Sequence, residues 1–82
     1  MTAKEYARQL AAELRKNPTM ATVDNICERI NRLHLRESDY RDLIRALREI
    51  IGDYRPILEF AHAADSVESF MDIIEKKTKP AK

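Results

Sequence analysis

The sequence predicts an all-α fold, a single compact domain built from a bundle of about five short helices. Its 82 residues include one glycine and three prolines, and strong helix formers dominate the remainder. Between these few breaking residues, apolar side chains recur at spacings of three and four, which is the period of an amphipathic helix. Because a chain of this length cannot fill a second hydrophobic core, we expect one domain over residues 1–77 and a flexible tail over residues 78–82.

The first predicted helix begins at Thr2, because Thr2 and Glu5 have the spacing of a capping box. Lys16 suits the negative end of a helix, and Asn17-Pro18 is expected to stop it. The apolar stripe of this helix consists of Ala3, Tyr6, Ala7, Leu10 and Leu14.

The second predicted helix follows a threonine cap, and both Thr19 and Thr22 suit that position. The stripe fades at His34-Leu35, where we expect a short connection to the next helix. The members of the stripe are Val23, Ile26, Cys27, Ile30 and Leu33.

The third predicted helix, residues 37–51, has the clearest pattern in the chain. Its apolar residues fall at i, i+3, i+4, i+7, i+10 and i+11, a series that no strand produces. Gly52 is expected to end this helix as a left-handed residue. The stripe consists of Tyr40, Leu43, Ile44, Leu47, Ile50 and Ile51.

The fourth predicted helix spans residues 56–64 and begins at Pro56, since proline is favoured at the first helical position. Only Glu59 and His62 interrupt its apolar surface, so we expect it to be the central helix. The fifth helix follows a capping box formed by Asp65 and Glu68, and it ends at the basic residues 76 and 77.

Composition limits the range of functions. Fifteen basic and fourteen acidic residues leave a formal charge of +1, which is unlike a chain built mainly to bind phosphates. Cys27 is the only cysteine, so no intrachain disulfide can form. The sequence shows neither a signal-peptide core nor an apolar run long enough to span a bilayer. We therefore expect a cytoplasmic protein without membrane association.

Two sets of residues raise the question of catalysis. Glu59 and His62 have the Glu-x-x-His spacing of di-iron bundles, but that site needs a second copy and two further glutamates, so we predict no metal. Cys27 would need a nearby base to act as a nucleophile, yet it lies in an apolar stripe, where cysteine behaves as a small hydrophobe. His34 is about two helical turns away. The sequence therefore predicts no enzyme, no cofactor and no small-molecule substrate.

Arginines on the second and third helices form a candidate nucleic-acid surface, because guanidinium groups bind phosphates. Opposite charges at helical spacing argue against it: Glu28–Arg32, Glu37–Arg41, Arg45–Glu49 and Asp42–Arg45 are potential ion pairs of a solvated helix. The candidate arginines are Arg29, Arg32, Arg36, Arg41, Arg45 and Arg48.

A protein-binding surface is the remaining candidate. The last two predicted helices carry more apolar surface than the N-terminal half, and Phe and Met are favoured at interfaces. Internal packing explains the same residues equally well. The predicted anchors are Phe60, Phe70, Met71 and Ile74.

We therefore predict a non-enzymatic protein that acts through protein–protein interaction, as an adaptor, a regulator or a subunit of a complex. Its partner would be another protein or a second copy of the chain. The alternative is a nucleic-acid-binding regulator that uses the arginine-rich surface.

Overall fold

The computed structural model describes residues 2–53 and 67–81. These residues form four α-helices: α1 (Ala3–Lys16), α2 (Met20–Arg32), α3 (Glu37–Asp53) and α4 (Val67–Lys77). The prediction of an all-helical protein is confirmed. The predicted helix over residues 56–64 lies outside the described residues, so the described part of the chain contains four helices instead of about five.

Threonine side chains start the first two helices. Thr2 has extended backbone geometry, and its Oγ1 accepts a hydrogen bond of 3.2 Å from the Glu5 amide. At α2, Thr19 is the cap and not Thr22, because Thr19 Oγ1 accepts a 3.2 Å hydrogen bond from the Thr22 amide. Each cap satisfies an amide that has no partner within its own helix.

The end of α2 differs from the sequence prediction. Leu33, predicted as the last residue of a buried stripe, follows the helix as its C-cap, and its side chain is 46% exposed. His34 then adopts φ of 49°, a left-handed conformation that a non-glycine residue rarely takes. Residues 33–36, hereafter the α2–α3 link, form the short connection that the sequence predicts between the second and third helices.

Gly52 does not end α3 as predicted. The helix continues through Gly52 to Asp53, and φ of Gly52 is not positive. The helical backbone at this position makes no use of the conformational freedom of glycine. Among the described residues, no atom lies within 4 Å of a Cβ built at Gly52.

The core lies where the apolar stripes of the four helices meet. The most extensive packing is between α1 and α3, and α4 contacts both α2 and α3. Cys27 is buried in this core, as its position in an apolar stripe predicts. The other buried apolar residues are Ala7, Leu10, Ala11, Leu14, Val23, Ile26, Ile30, Tyr40, Leu43, Ile44, Leu47, Ile51, Phe70, Met71 and Ile74.

Residues 78–81, hereafter the C-terminal strap, are bound to the helices, whereas the sequence predicts a flexible tail. Thr78 is only 3% exposed. Its Oγ1 lies 2.6 Å from Tyr40 Oη and donates a 2.8 Å hydrogen bond to the Ile74 carbonyl. Tyr40 is distant from Thr78 in sequence, and no local sequence pattern predicts this contact.

The length and polarity of the helices bear on membrane association. Within residues 2–53 and 67–81, no helix combines the length and the apolar character needed to cross a bilayer.

Candidate functional site

The predicted protein-binding anchors are part of the core of the monomer. Phe70, Met71 and Ile74 are 1%, 0% and 2% exposed, respectively, so they have no surface left for a partner. These three residues are packed inside the monomer, which is the alternative that the sequence left open. Phe60, the fourth predicted anchor, lies outside the described residues.

Four of the six candidate arginines form ion pairs. Two pairs lie within one helix, as predicted: Arg32 with Glu28 at 2.5 Å and Arg41 with Glu37 at 2.6 Å. The other two join different helices, Arg29 with Glu13 and Arg48 with Glu68. Carboxylates next to the guanidinium groups oppose the binding of phosphate at these four positions.

Arg36 and Arg45 complete the predicted arginine surface. Both are exposed, and neither forms an ion pair within the described residues. The predicted pairs of Arg45 with Asp42 and with Glu49 are therefore not formed. Arg45 borders a shallow groove that also contains the carboxylate of Glu75. The six arginines consequently do not form one surface of uncompensated positive charge.

Cys27 has the environment of a structural thiol. Desolvation by burial raises the pKa of Cys27 to about 11; nearby Lys77 partly opposes this effect, and Asp24 adds to it. A thiol with this pKa is protonated at neutral pH, whereas nucleophilic attack requires the thiolate. His34 is exposed on the α2–α3 link, whereas Cys27 is buried in the core.

No metal centre is found in the described part of the chain. Residues 2–53 and 67–81 contain no group of three or more His, Cys, Asp or Glu side chains arranged to hold a metal ion. The Glu59–His62 pair lies outside these residues.

A groove between α1 and α3 has a volume of about 810 Å³. Basic residues of α1, including Lys4 and Arg8, face Glu49 and Asp53 of α3 across it. The two carboxylates of the lining compensate only part of the charge of its four basic residues.

A second groove is mainly apolar and lies beside the α2–α3 link. Its volume is about 560 Å³. We call it the link groove, and it is lined by Thr2, Ala3, Tyr6, Leu33, Leu35, Asp39 and Leu43.

Three elements of the fold build the link groove. The first turns of α1 provide Ala3 and Tyr6, which are half-buried and pack on the edge of the core. The link provides Leu33 and Leu35, and the start of α3 provides Asp39, the only charged residue among the described residues of the lining. The groove can therefore accept an apolar side chain, with one carboxylate at its margin.

Leu33 distinguishes this groove from the rest of the surface. Among the described residues, the exposed large apolar side chains are Met20 and Leu33, at 43% and 46%. Leu33 lines the link groove, whereas Met20 does not. The sequence reasoning missed this site because it placed Leu33 in the buried stripe. The signal available was its position directly before the predicted connection, where a helix ends and burial is no longer assured.

Comparison with protein-family models, with curated proteins and with solved structures finds no match for this chain. Its function must be inferred from its own surface.

Proposed function

We propose that the protein acts without catalysis, by binding another protein through the link groove. The observation that carries this proposal is the exposed Leu33 side chain at the margin of a groove whose lining is otherwise mostly apolar. Exposed apolar surface costs free energy in water, and its burial by a partner recovers about 25 cal/mol per Å². The groove thus replaces Phe70, Met71 and Ile74 as the proposed contact surface.

The shape of the groove suits one class of occupant, an apolar side chain on a segment of another protein. Helices and extended peptides commonly bind by inserting such side chains into grooves of this kind. The carboxylate of Asp39 would favour a neighbouring basic residue on the partner. We propose a cytoplasmic setting for this interaction.

The test compares Leu33→Gln with Met20→Gln. Both side chains lie on α2 or directly after it and are almost equally exposed, but only Leu33 borders the groove. Glutamine is uncharged, so neither substitution adds a charge at the end of the helix. Peptides would be selected from a random displayed library on the wild-type protein, and their dissociation constants would be measured by fluorescence polarisation.

We expect Leu33→Gln to weaken binding at least about tenfold, because burial of a leucine side chain contributes about 1.5–3 kcal/mol. Met20→Gln should leave the dissociation constant within about twofold of wild type, as expected for a surface substitution outside the contact. Equal effects of the two substitutions, or a library without any groove-dependent binder, would contradict the proposal. Sedimentation of the wild-type chain and of Leu33→Gln shows whether the occupant is instead a second copy.

Nucleic-acid binding is the second candidate, and Arg36 and Arg45 favour it, because no carboxylate of the described residues pairs with them. Their phosphate contacts would be strongest at low salt. A titration with mixed DNA and RNA in low-salt buffer tests this directly. Binding that is lost in the Arg36→Gln/Arg45→Gln double variant would support it, and no binding by the wild-type protein would eliminate it.

A further inference from the structure

The α2–α3 link contacts the link groove on one side and the C-terminal strap on the other. The side chains of Leu33 and Leu35 line the groove. The main-chain carbonyl of Leu35 accepts a hydrogen bond of 2.6 Å from the amide of Ala81, a strap residue. A single residue, Leu35, therefore connects the groove to the strap.

Asn31 ties the strap to the last turn of α2. Its Nδ2 donates a 2.9 Å hydrogen bond to the carbonyl of Lys77, and its Oδ1 accepts a 3.0 Å hydrogen bond from the amide of Lys79. The side-chain amide of Asn31 therefore binds the main chain at two points, Lys77 at the end of α4 and Lys79 in the strap. Asn31 lies only two residues before Leu33.

Tyr40 ties the strap to the first turns of α3. Its hydroxyl lies 2.6 Å from Thr78 Oγ1, in a buried contact. Asp39 and Leu43, which line the groove, lie on the same part of α3. The strap therefore contacts α2 before the link, the link itself, and α3 after the link.

The link has few hydrogen bonds of its own to hold its shape. Within it, the amide of Leu33 donates to the Ile30 carbonyl at 3.1 Å, and the amide of His34 donates to the Asn31 carbonyl at 3.3 Å. His34 also adopts the left-handed conformation, which costs a non-glycine residue about 1 kcal/mol. A backbone conformation of this kind persists when the surrounding structure holds it.

We infer that the C-terminal strap is a brace that holds the link groove in its binding shape, so that release of the strap weakens partner binding. This inference rests on the proposed function of the groove. It adds a means of regulation, because any partner or modification that draws residues 78–81 away from Asn31 would also lower the affinity of the groove.

The test uses the 82-residue chain with Asn31→Ala, which removes the hydrogen bonds of that side chain to the Lys77 carbonyl and to the strap amide of Lys79. Alanine is a good helix former, so α2 should remain intact. Asn25→Ala is the matched control, since Asn25 is an exposed asparagine of the same helix. The double variant Asn31→Ala/Ala81→Pro also removes the amide that donates to Leu35, because proline has no N–H.

Two measurements are made on each variant: hydrogen exchange of the Leu33 and His34 amides, and the affinity for a groove-binding peptide. In Asn31→Ala we expect both amides to exchange at least about fivefold faster and the peptide to bind at least about fivefold more weakly, as a shifted local opening equilibrium requires. Asn25→Ala should match wild type within about twofold in both measurements.

Wild-type exchange at Leu33 and His34 in the double variant would overturn the inference, as would faster exchange with unchanged peptide affinity. The exchange measurement needs no ligand. If no peptide binds the wild-type protein, the proposed function fails, and the exchange rates alone then decide whether the strap holds the link.

Discussion

Two apolar surfaces of this protein differ in their burial: one is covered by the protein's own chain, and the other is partly exposed. The face of α4 carries three large apolar residues close together in sequence, Phe70, Met71 and Ile74, and it is buried in the core. The surface at the end of α2 is less conspicuous in sequence, yet it leaves Leu33 46% exposed beside an apolar groove. The difference shows that an amphipathic pattern identifies which side of a helix avoids water, but not whether the same chain or another one covers it.

The largest expected effect tests the assignment of the α4 face to the core. Phe70→Ala should destabilise the protein by about 3–5 kcal/mol, because it removes a large buried side chain and leaves a cavity. Met20→Ala, at an exposed position, should change stability by less than about 0.5 kcal/mol. The free energy of unfolding would be measured by urea denaturation followed by circular dichroism.

A comparison of these two variants at several protein concentrations completes this test. If the α4 face were an intermolecular surface, Phe70→Ala would leave the stability of the dilute monomer almost unchanged. That result would restore the contact residues predicted from the sequence.

An effect of intermediate size is expected from the pH dependence of stability at Cys27, which is buried in α2, whereas Leu33 at the end of this helix is exposed. Burial raises the pKa of Cys27 from an ordinary value of 9.0 to about 11, so the folded protein keeps the thiol proton at a pH where the unfolded chain has lost it. Stability from this group is fully present below the ordinary pKa and is lost as pH rises toward 11.

The expected loss between pH 9 and 11 is up to about 3 kcal/mol, since the pKa is raised by about two units and each unit corresponds to about 1.4 kcal/mol. Urea denaturation of wild type and of Cys27→Ala would be compared across this pH range. The difference between the two profiles reports the ionisation of the thiol, because every other ionisable group is present in both proteins. Parallel pH profiles for the two proteins would show that Cys27 is not held protonated by burial.

The smallest effect compares the ends of α2 and α3. The end of α2 requires the left-handed conformation of His34, whereas α3 passes through Gly52 with helical geometry and open space around the Cα. Gly52→Ala should therefore stabilise the protein by about 0.5–1 kcal/mol, because alanine has less backbone entropy to lose in a helix. The thermal midpoint would rise by a few degrees, and a lower midpoint would argue that Gly52 ends the helix after all.

Much of the local structure could be predicted from the residues alone. Thr2 caps α1 as predicted, and α1 ends at Lys16, before Asn17-Pro18. The stripes of the four described helices identify most of the buried residues. These features depend on contacts between residues three or four apart, which a sequence displays directly. The candidate site could not be found in this way, since its lining comes from α1, the link and α3.

The sequence by itself determined that the chain forms amphipathic helices, where three of the four described helices begin and end to within about two residues, and which sides of them avoid water. Only the tertiary structure decided that α4 is covered by its own chain, that Leu33 remains exposed, and that the strap is bound by Asn31 and Tyr40. The physical reason is the range of the interactions. Helical periodicity reflects forces between neighbours in sequence, whereas exposure depends on how helices pack and where each one stops.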